Sequence, residues 1–177
     1  VVDFDMTSSR NAGAFSLIEV VVAVGVVGIA IVAMVALLPA LTRQMSDTSD
    51  SMVAQRMPAA VQAELVHLAN GGALGNLASL IKTVGNTSTL EMVASHDGRQ
   101  LQVAEGTTLP AGQQYFLIEL WQFSTAPLAY NGASGAVLCA YVKVSWPYRL
   151  PDSSGSGSVV TDDIGRSSFA FTVAINR

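Results

Sequence analysis

Few residues in this chain could do chemistry, and the one with the most informative surroundings is Glu19. It opens a run from Val20 to Leu41 in which no residue is charged. A carboxylate inside a bilayer costs about 2.5–3.5 kcal/mol at a helix centre and less near an end, so an acid at this position is a functional candidate by default. The competing reading is a glutamate that snorkels to the headgroup layer. The residues before it read Arg10-Asn11-Ala12-Gly13-Ala14-Phe15-Ser16-Leu17-Ile18. The other candidates are weaker. His67 falls on a predicted amphipathic helix and His96 in a predicted hairpin turn, neither with a partner at metal-ligand spacing. Cys139 is the single cysteine, which excludes an internal disulfide, and it has no His/Asn context that would mark a nucleophile. Asp152, Asp162 and Asp163 flank a Ser/Gly loop and are oxygen ligands of the kind calcium takes. Their spacing matches no calcium motif, so a solvated acidic loop is the preferred reading. The chain contains no Gly-x-Ser-x-Gly, phosphate-loop or His-Glu-x-x-His pattern, and the expectation is a protein that is not an enzyme and needs no cofactor.

The elements that must position Glu19 follow from composition. Of 177 residues, 50% are hydrophobic and 12% charged, about half the charge of an average soluble domain. The apolar excess is concentrated in the segment after Glu19, which is long enough to span a bilayer as one helix and too long for the core of a secretory signal. Nine Lys and Arg against thirteen Asp and Glu give a net charge of −4. That balance argues against nucleic acid as a partner, because phosphate binding needs clustered cations.

Gly13-Ala14-Phe15-Ser16-Leu17-Ile18-Glu19-Val20 resembles the processing and methylation motif of type IV pilins and type II secretion pseudopilins. Three features coincide: a short polar leader, the Phe-Ser-Leu-Ile-Glu run and a membrane helix that follows at once. The resemblance implies cleavage between Ala14 and Phe15 by a prepilin peptidase, N-methylation of Phe15, and a Glu at the fifth mature position, which Glu19 fills. Ala14 departs from the glycine usual before the cut, and cutting after Gly13 would spoil the register. The leader is expected to be residues 1–14. A start at Met6 would place Val1 to Asp5 outside the natural protein. The stretch Val35-Ala36-Leu37-Leu38-Pro39 is also similar to the cassette pilin-like proteins of Verrucomicrobia, and the missing pair of C-terminal cysteines tilts the resemblance towards a minor pilin or pseudopilin.

The rest of the chain is read locally. Residues 15–41 form the transmembrane and assembly helix, in which Gly25 and Gly28 are small enough for close contact between helices. Residues 42–70 are expected to continue as an amphipathic helix. Met45, Val53, Met57, Val61, Leu65 and Leu68 form its apolar stripe, and Thr42, Asp47, Asp50, Gln55 and Gln62 its polar face. Pro39 and Pro58 should kink the helix, and Asn70-Gly71-Gly72 should end it. A short helix is expected around Leu77–Lys82. Asp97-Gly98 between two alternating runs predicts a hairpin. Gln114 to Phe123, Val137 to Trp146 and the run holding Phe169, Phe171, Val173 and Ile175 read as strands, with Pro151 to Gly157 a loop.

The expected fold is therefore α+β: a long kinked N-terminal helix, membrane-spanning in its first half and amphipathic in its second, packed on a C-terminal antiparallel sheet over residues 71–177. The resemblance implies a subunit of a type IV pilus-like filament or type II secretion pseudopilus that polymerises through its helix, with Glu19 setting register. Its implied partners are the prepilin peptidase, other pilin or pseudopilin subunits, and an assembly platform and ATPase. Its implied location is the bacterial inner membrane, crossed once with the C-terminal domain in the periplasm, and then the filament, periplasmic or extracellular. The alternative is a single-pass anchored periplasmic binding module or enzyme that uses the helix only as a tether. Under that reading Glu19 has no use and an apolar residue would be cheaper.

Overall fold

A computed structural model describes residues 16–72, 74–81, 90–132, 137–160 and 165–176. Helix α1 runs Leu17–Asn70, and α2 runs Leu74–Leu80. Among the described residues seven strands follow: β1 Glu91–Ser95, β2 Leu101–Val103, β3 Gln114–Gln122, β4 Val137–Trp146, β5 Arg149–Leu150, β6 Ser158–Val159 and β7 Ser167–Asn176. Five form one antiparallel sheet in the order β2-β1-β3-β4-β7, and β5 pairs with β6. The α+β architecture is as expected. The β5–β6 ribbon, whose two strands flank the expected Pro151 to Gly157 loop, is an addition.

The chain divides into two compact units, residues 1–46 and 47–177. The described part of the first unit is helical from Leu17 and exposed along its length, including Val20 to Val22, Ile29, Leu37 and Leu38. It belongs to the one helix, among the described residues, that is long and apolar enough to cross a membrane. Pro39 does not end the helix, and neither does Pro58 in the second unit. After Pro39 the Thr42 hydroxyl donates 3.0 Å bonds to the Leu38 and Pro39 carbonyls.

In the second unit, α1 packs one stripe onto the sheet. Ala54, Met57, Val61 and Leu65 are buried at spacings of three and four, the helical repeat. They meet Met92 and Ala94 of β1, Phe116, Ile118 and Leu120 of β3, and Leu138, Ala140, Val142 and Val144 of β4. The inward face of β4 is the one its alternation predicts. Val173 and Ile175 of β7 are buried too, while Phe169 and Phe171 are half-buried at the core's margin. The opposite face of the sheet carries a smaller cluster, Val93, Leu109 and Leu117, under Ala104 and Tyr148.

Two expectations for the amphipathic half need correction. Met45 is exposed and lies outside the buried stripe. Asp50, assigned above to the polar face, is 3% exposed. The reason is helical geometry. Asp50 lies four residues before Ala54 and seven before Met57, so it extends the apolar stripe by one turn.

Candidate functional site

The N-terminus of α1 carries the first candidate site. Ser16 precedes the helix, and the backbone N–H of Glu19 donates to its hydroxyl oxygen at 3.2 Å. The Glu19 carboxylate reaches back to accept from the Ser16 backbone N–H at 3.0 Å. This reciprocal pair is a capping box, which satisfies two of the donors that a helix start leaves unpaired. A carboxylate in the first turn also meets the positive end of the helix dipole. The signal was present in the sequence, as Ser-x-x-Glu directly before an apolar run. It changes the argument about Glu19, because any helix beginning here gains from this glutamate, a simple tether included. Gly13, Ala14 and Phe15, the expected processing residues, lie outside the described residues, as does the leader.

The second candidate is in the globular unit and was not found from sequence. Buried Asp50 accepts a 2.7 Å hydrogen bond on Oδ2 from the Tyr115 hydroxyl of β3. Its Oδ1 lies 3.1 Å from His96 Nε2. That approach has ion-pair distance without hydrogen-bond alignment, since Oδ1 makes no hydrogen bond. The His96 ring stands edge-on to Tyr115, with centroids 4.4 Å apart. Burial, and then the hydrogen bond that it donates to the Asp50 carboxylate, push the Tyr115 hydroxyl well above the ordinary tyrosine range.

The hairpin between β1 and β2 brings His96 there. The Gly98 N–H donates to the Ser95 carbonyl at 2.8 Å, and Gly98 has φ of 68°. A β-carbon at Gly98 would sit 2.8 Å from Val53 Cγ1 and 3.0 Å from Met57 Cε, so glycine serves both the turn and the approach to the helix. The Asp97 carboxylate accepts from the Ser95 hydroxyl at 2.5 Å and from the Arg99 N–H at 3.1 Å. These bonds hold it below the usual carboxylate range, the serine contributing most. The Ser95 hydroxyl also accepts from Gln100 N–H, so it is engaged within its own turn.

Beside the cluster is a cavity of about 460 Å³, lined by His96, Gln100, Gln113, Tyr115 and Arg149 among others. Arg149 is held at its wall, with Nε donating to Gln114 Oε1 at 2.7 Å and the guanidinium 5.0 Å from the Tyr148 ring centre. The Ser/Gly loop abuts the same region. A β-carbon on Gly112 would lie 2.9 Å from the Gly155 carbonyl oxygen.

Asp152, the described member of the calcium candidates, is committed to this loop. Its Oδ1 accepts from the N–H and hydroxyl of Ser154 at 3.0 and 2.8 Å and from the Ser156 N–H at 3.1 Å. Its Oδ2 accepts from the Ser156 hydroxyl at 3.0 Å. These bonds, led by Ser154, lower its carboxyl to about 2. Asp162 and Asp163 lie outside the described residues. Among the described residues no three His, Cys, Asp or Glu side chains are grouped to hold a metal ion. His67 is exposed on α1, and Cys139 is a free, half-buried thiol on the sheet face away from the helix. No family model, curated protein or solved structure matches the chain.

Proposed function

We propose that the chain is a structural subunit of a type IV pilus-like or type II secretion pseudopilus filament, cleaved before Phe15 by a prepilin peptidase. The observation that supports this best is an apolar helix exposed from Leu17 onward, opened by Glu19 and continuous with an α+β unit that buries its own core. Such a helix needs an apolar environment, first a bilayer and then the helices of other subunits. In this reading a bend at Pro39 loosens the helix within the filament. The Glu19 carboxylate pairs with the Phe15 amine of a neighbour and sets register, the best-attested use of a buried charge. The subunit waits in the inner membrane with its globular unit in the periplasm, and an assembly platform and ATPase extract it.

The capping box supports a second reading, a tethered module, because it gives Glu19 a use that requires no assembly. Two substitutions separate the readings. Glu19→Gln keeps a capping-box residue but removes the charge, whereas Glu19→Ala removes both. A filament subunit predicts that both variants insert into the membrane and neither enters sheared filaments or the pseudopilus. Normal incorporation of Glu19→Gln would sink the register role. Mass spectrometry of the N-terminal peptide from the native cell tests processing directly. A peptide beginning at N-methylated Phe15 supports the filament reading. An intact leader, in a cell whose other prepilins are processed, leaves the tether.

A further inference from the structure

The cavity beside His96 and Tyr115 contains a cation that the filament reading does not use. Arg149 of β5 lines it and is half-buried. Its guanidinium is fixed from one side. Nε donates to Gln114 Oε1 at 2.7 Å, Nη1 lies 3.5 Å from the Gly157 carbonyl oxygen, and the group sits over the Tyr148 ring, 5.0 Å from its centre. Gln114 is itself buried, and its Nε2 donates to the Leu109 carbonyl at 2.9 Å. A buried amide bonded at both ends leaves Arg149 little freedom, which is the support a binding group needs to keep its geometry. Nη2 makes no hydrogen bond among the described residues, and no described carboxylate lies within ion-pair distance of Arg149. The acids nearby are already matched. Asp97, which also lines the cavity, accepts from the Ser95 hydroxyl and the Arg99 N–H, and its Oδ2 is 3.7 Å from Arg99 Nε. Asp50 is 3% exposed, bonded to Tyr115 and faced by His96.

The geometry points to a binding site for a small organic acid, with its carboxylate on Arg149. A guanidinium fork matches a carboxylate in both shape and charge. Among the described residues Arg149 is the lining charge left without an opposite partner, which suits a monoanion. A phosphate monoester would bring a second charge with nothing to meet it. The cavity, about 460 Å³, falls in the range of small-molecule sites, about 300–1,000 Å³. It has room for a body as well as a carboxylate. Tyr115 and Pro151 give that body apolar wall, and the exposed amides of Gln100 and Gln113 give it donors and acceptors. Such a site fits a filament subunit and a tethered module alike.

The test uses the full chain in mild detergent with N-acetylglycinate as probe and N-acetylglycinamide as its uncharged isostere. Both are polar enough to stay out of the micelle, and sodium chloride holds the ionic strength constant so that screening is unchanged. Backbone amide resonances of His96, Gln100 and Gln113 are followed. Saturable shifts are expected for the acid with a Kd of about 0.1–10 mM, in keeping with so small a ligand. The amide should bind about tenfold more weakly or worse, because it cannot form the charge-assisted pair. Arg149→Gln should weaken the acid by about tenfold or more and leave the amide as it was. Arg149→Lys, which keeps the charge without the fork, should weaken the acid several-fold. If Arg149→Gln fails to fold, the two probes on the unaltered chain decide the matter. Shifts that never saturate, equal affinities for acid and amide, or an acid affinity unchanged in Arg149→Gln would overturn the proposal.

Discussion

Asp50 is a carboxylate removed from water with one strong hydrogen bond, and Tyr115→Phe removes that bond while keeping the ring. The ring stays against His96, so packing is conserved and the change isolates one O–H···O contact of 2.7 Å. Hydrogen bonds to charged groups are worth about 1.5–3 kcal/mol, against about 0.5–1.5 kcal/mol for neutral pairs. Tyr115 is itself half-buried, and water can partly replace the lost donor, so the expected cost is about 1.5–2 kcal/mol. Asp50→Asn keeps an acceptor of nearly the same shape without the charge. In that background Tyr115→Phe should cost only about 0.5–1 kcal/mol, leaving a coupling of about 1 kcal/mol between charge and hydroxyl. The assay is urea unfolding of the full chain in mild detergent at neutral pH, followed by the fluorescence of its two tryptophans, Trp121 and buried Trp146, with all four members of the cycle compared by linear extrapolation. Equal costs of Tyr115→Phe in the Asp and Asn backgrounds would refute the argument that a buried charge is being satisfied.

Gly98→Ala should destabilise by about 1–3 kcal/mol in the same assay, from its left-handed backbone and the overlap with Val53 and Met57. The Asp152 loop makes a prediction about acid. Its carboxyl is lowered to about 2, so the contribution of the charged form is present above the ordinary aspartate pKa and is lost as pH falls through about 2. The amide resonances of Ser154 and Ser156 should therefore move together with a midpoint near 2 and be flat at pH 5. Tyr115 makes the opposite prediction about alkali. Its raised pKa means that its contribution is complete below the ordinary tyrosine pKa and is lost as pH rises past it towards the folded value. In an ultraviolet titration of the folded chain, Tyr115→Phe should remove a phenol that ionises well above the ordinary tyrosine range.

Much of the fold was legible because it follows from local periodicity. The alternation of Leu138, Ala140, Val142, Val144 and Trp146 identified β4 and its inward face. Asp97-Gly98 marked the hairpin between β1 and β2, and Asn70 ended α1 where the helical pattern stops. The two-residue strands β5 and β6 were not legible, because elements so short have no period of their own. They exist because Tyr148 ties them to the sheet, its N–H donating to the Tyr115 carbonyl at 2.6 Å. The capping box is also local, since Ser16 and Glu19 stand three positions apart directly before the apolar run.

The amino-acid order alone determined a long apolar helix, a glutamate at its first turn, and a following sheet, since each depends on residues within a few positions of one another. Only the tertiary structure decided that Asp50 is buried, because its polarity argued for the solvent face while its helical position placed it beneath Tyr115 and His96. It alone set Gln114 against Arg149 at the wall of a cavity, since folding of the sheet joins residues 35 positions apart, and no local pattern encodes what lies across a sheet.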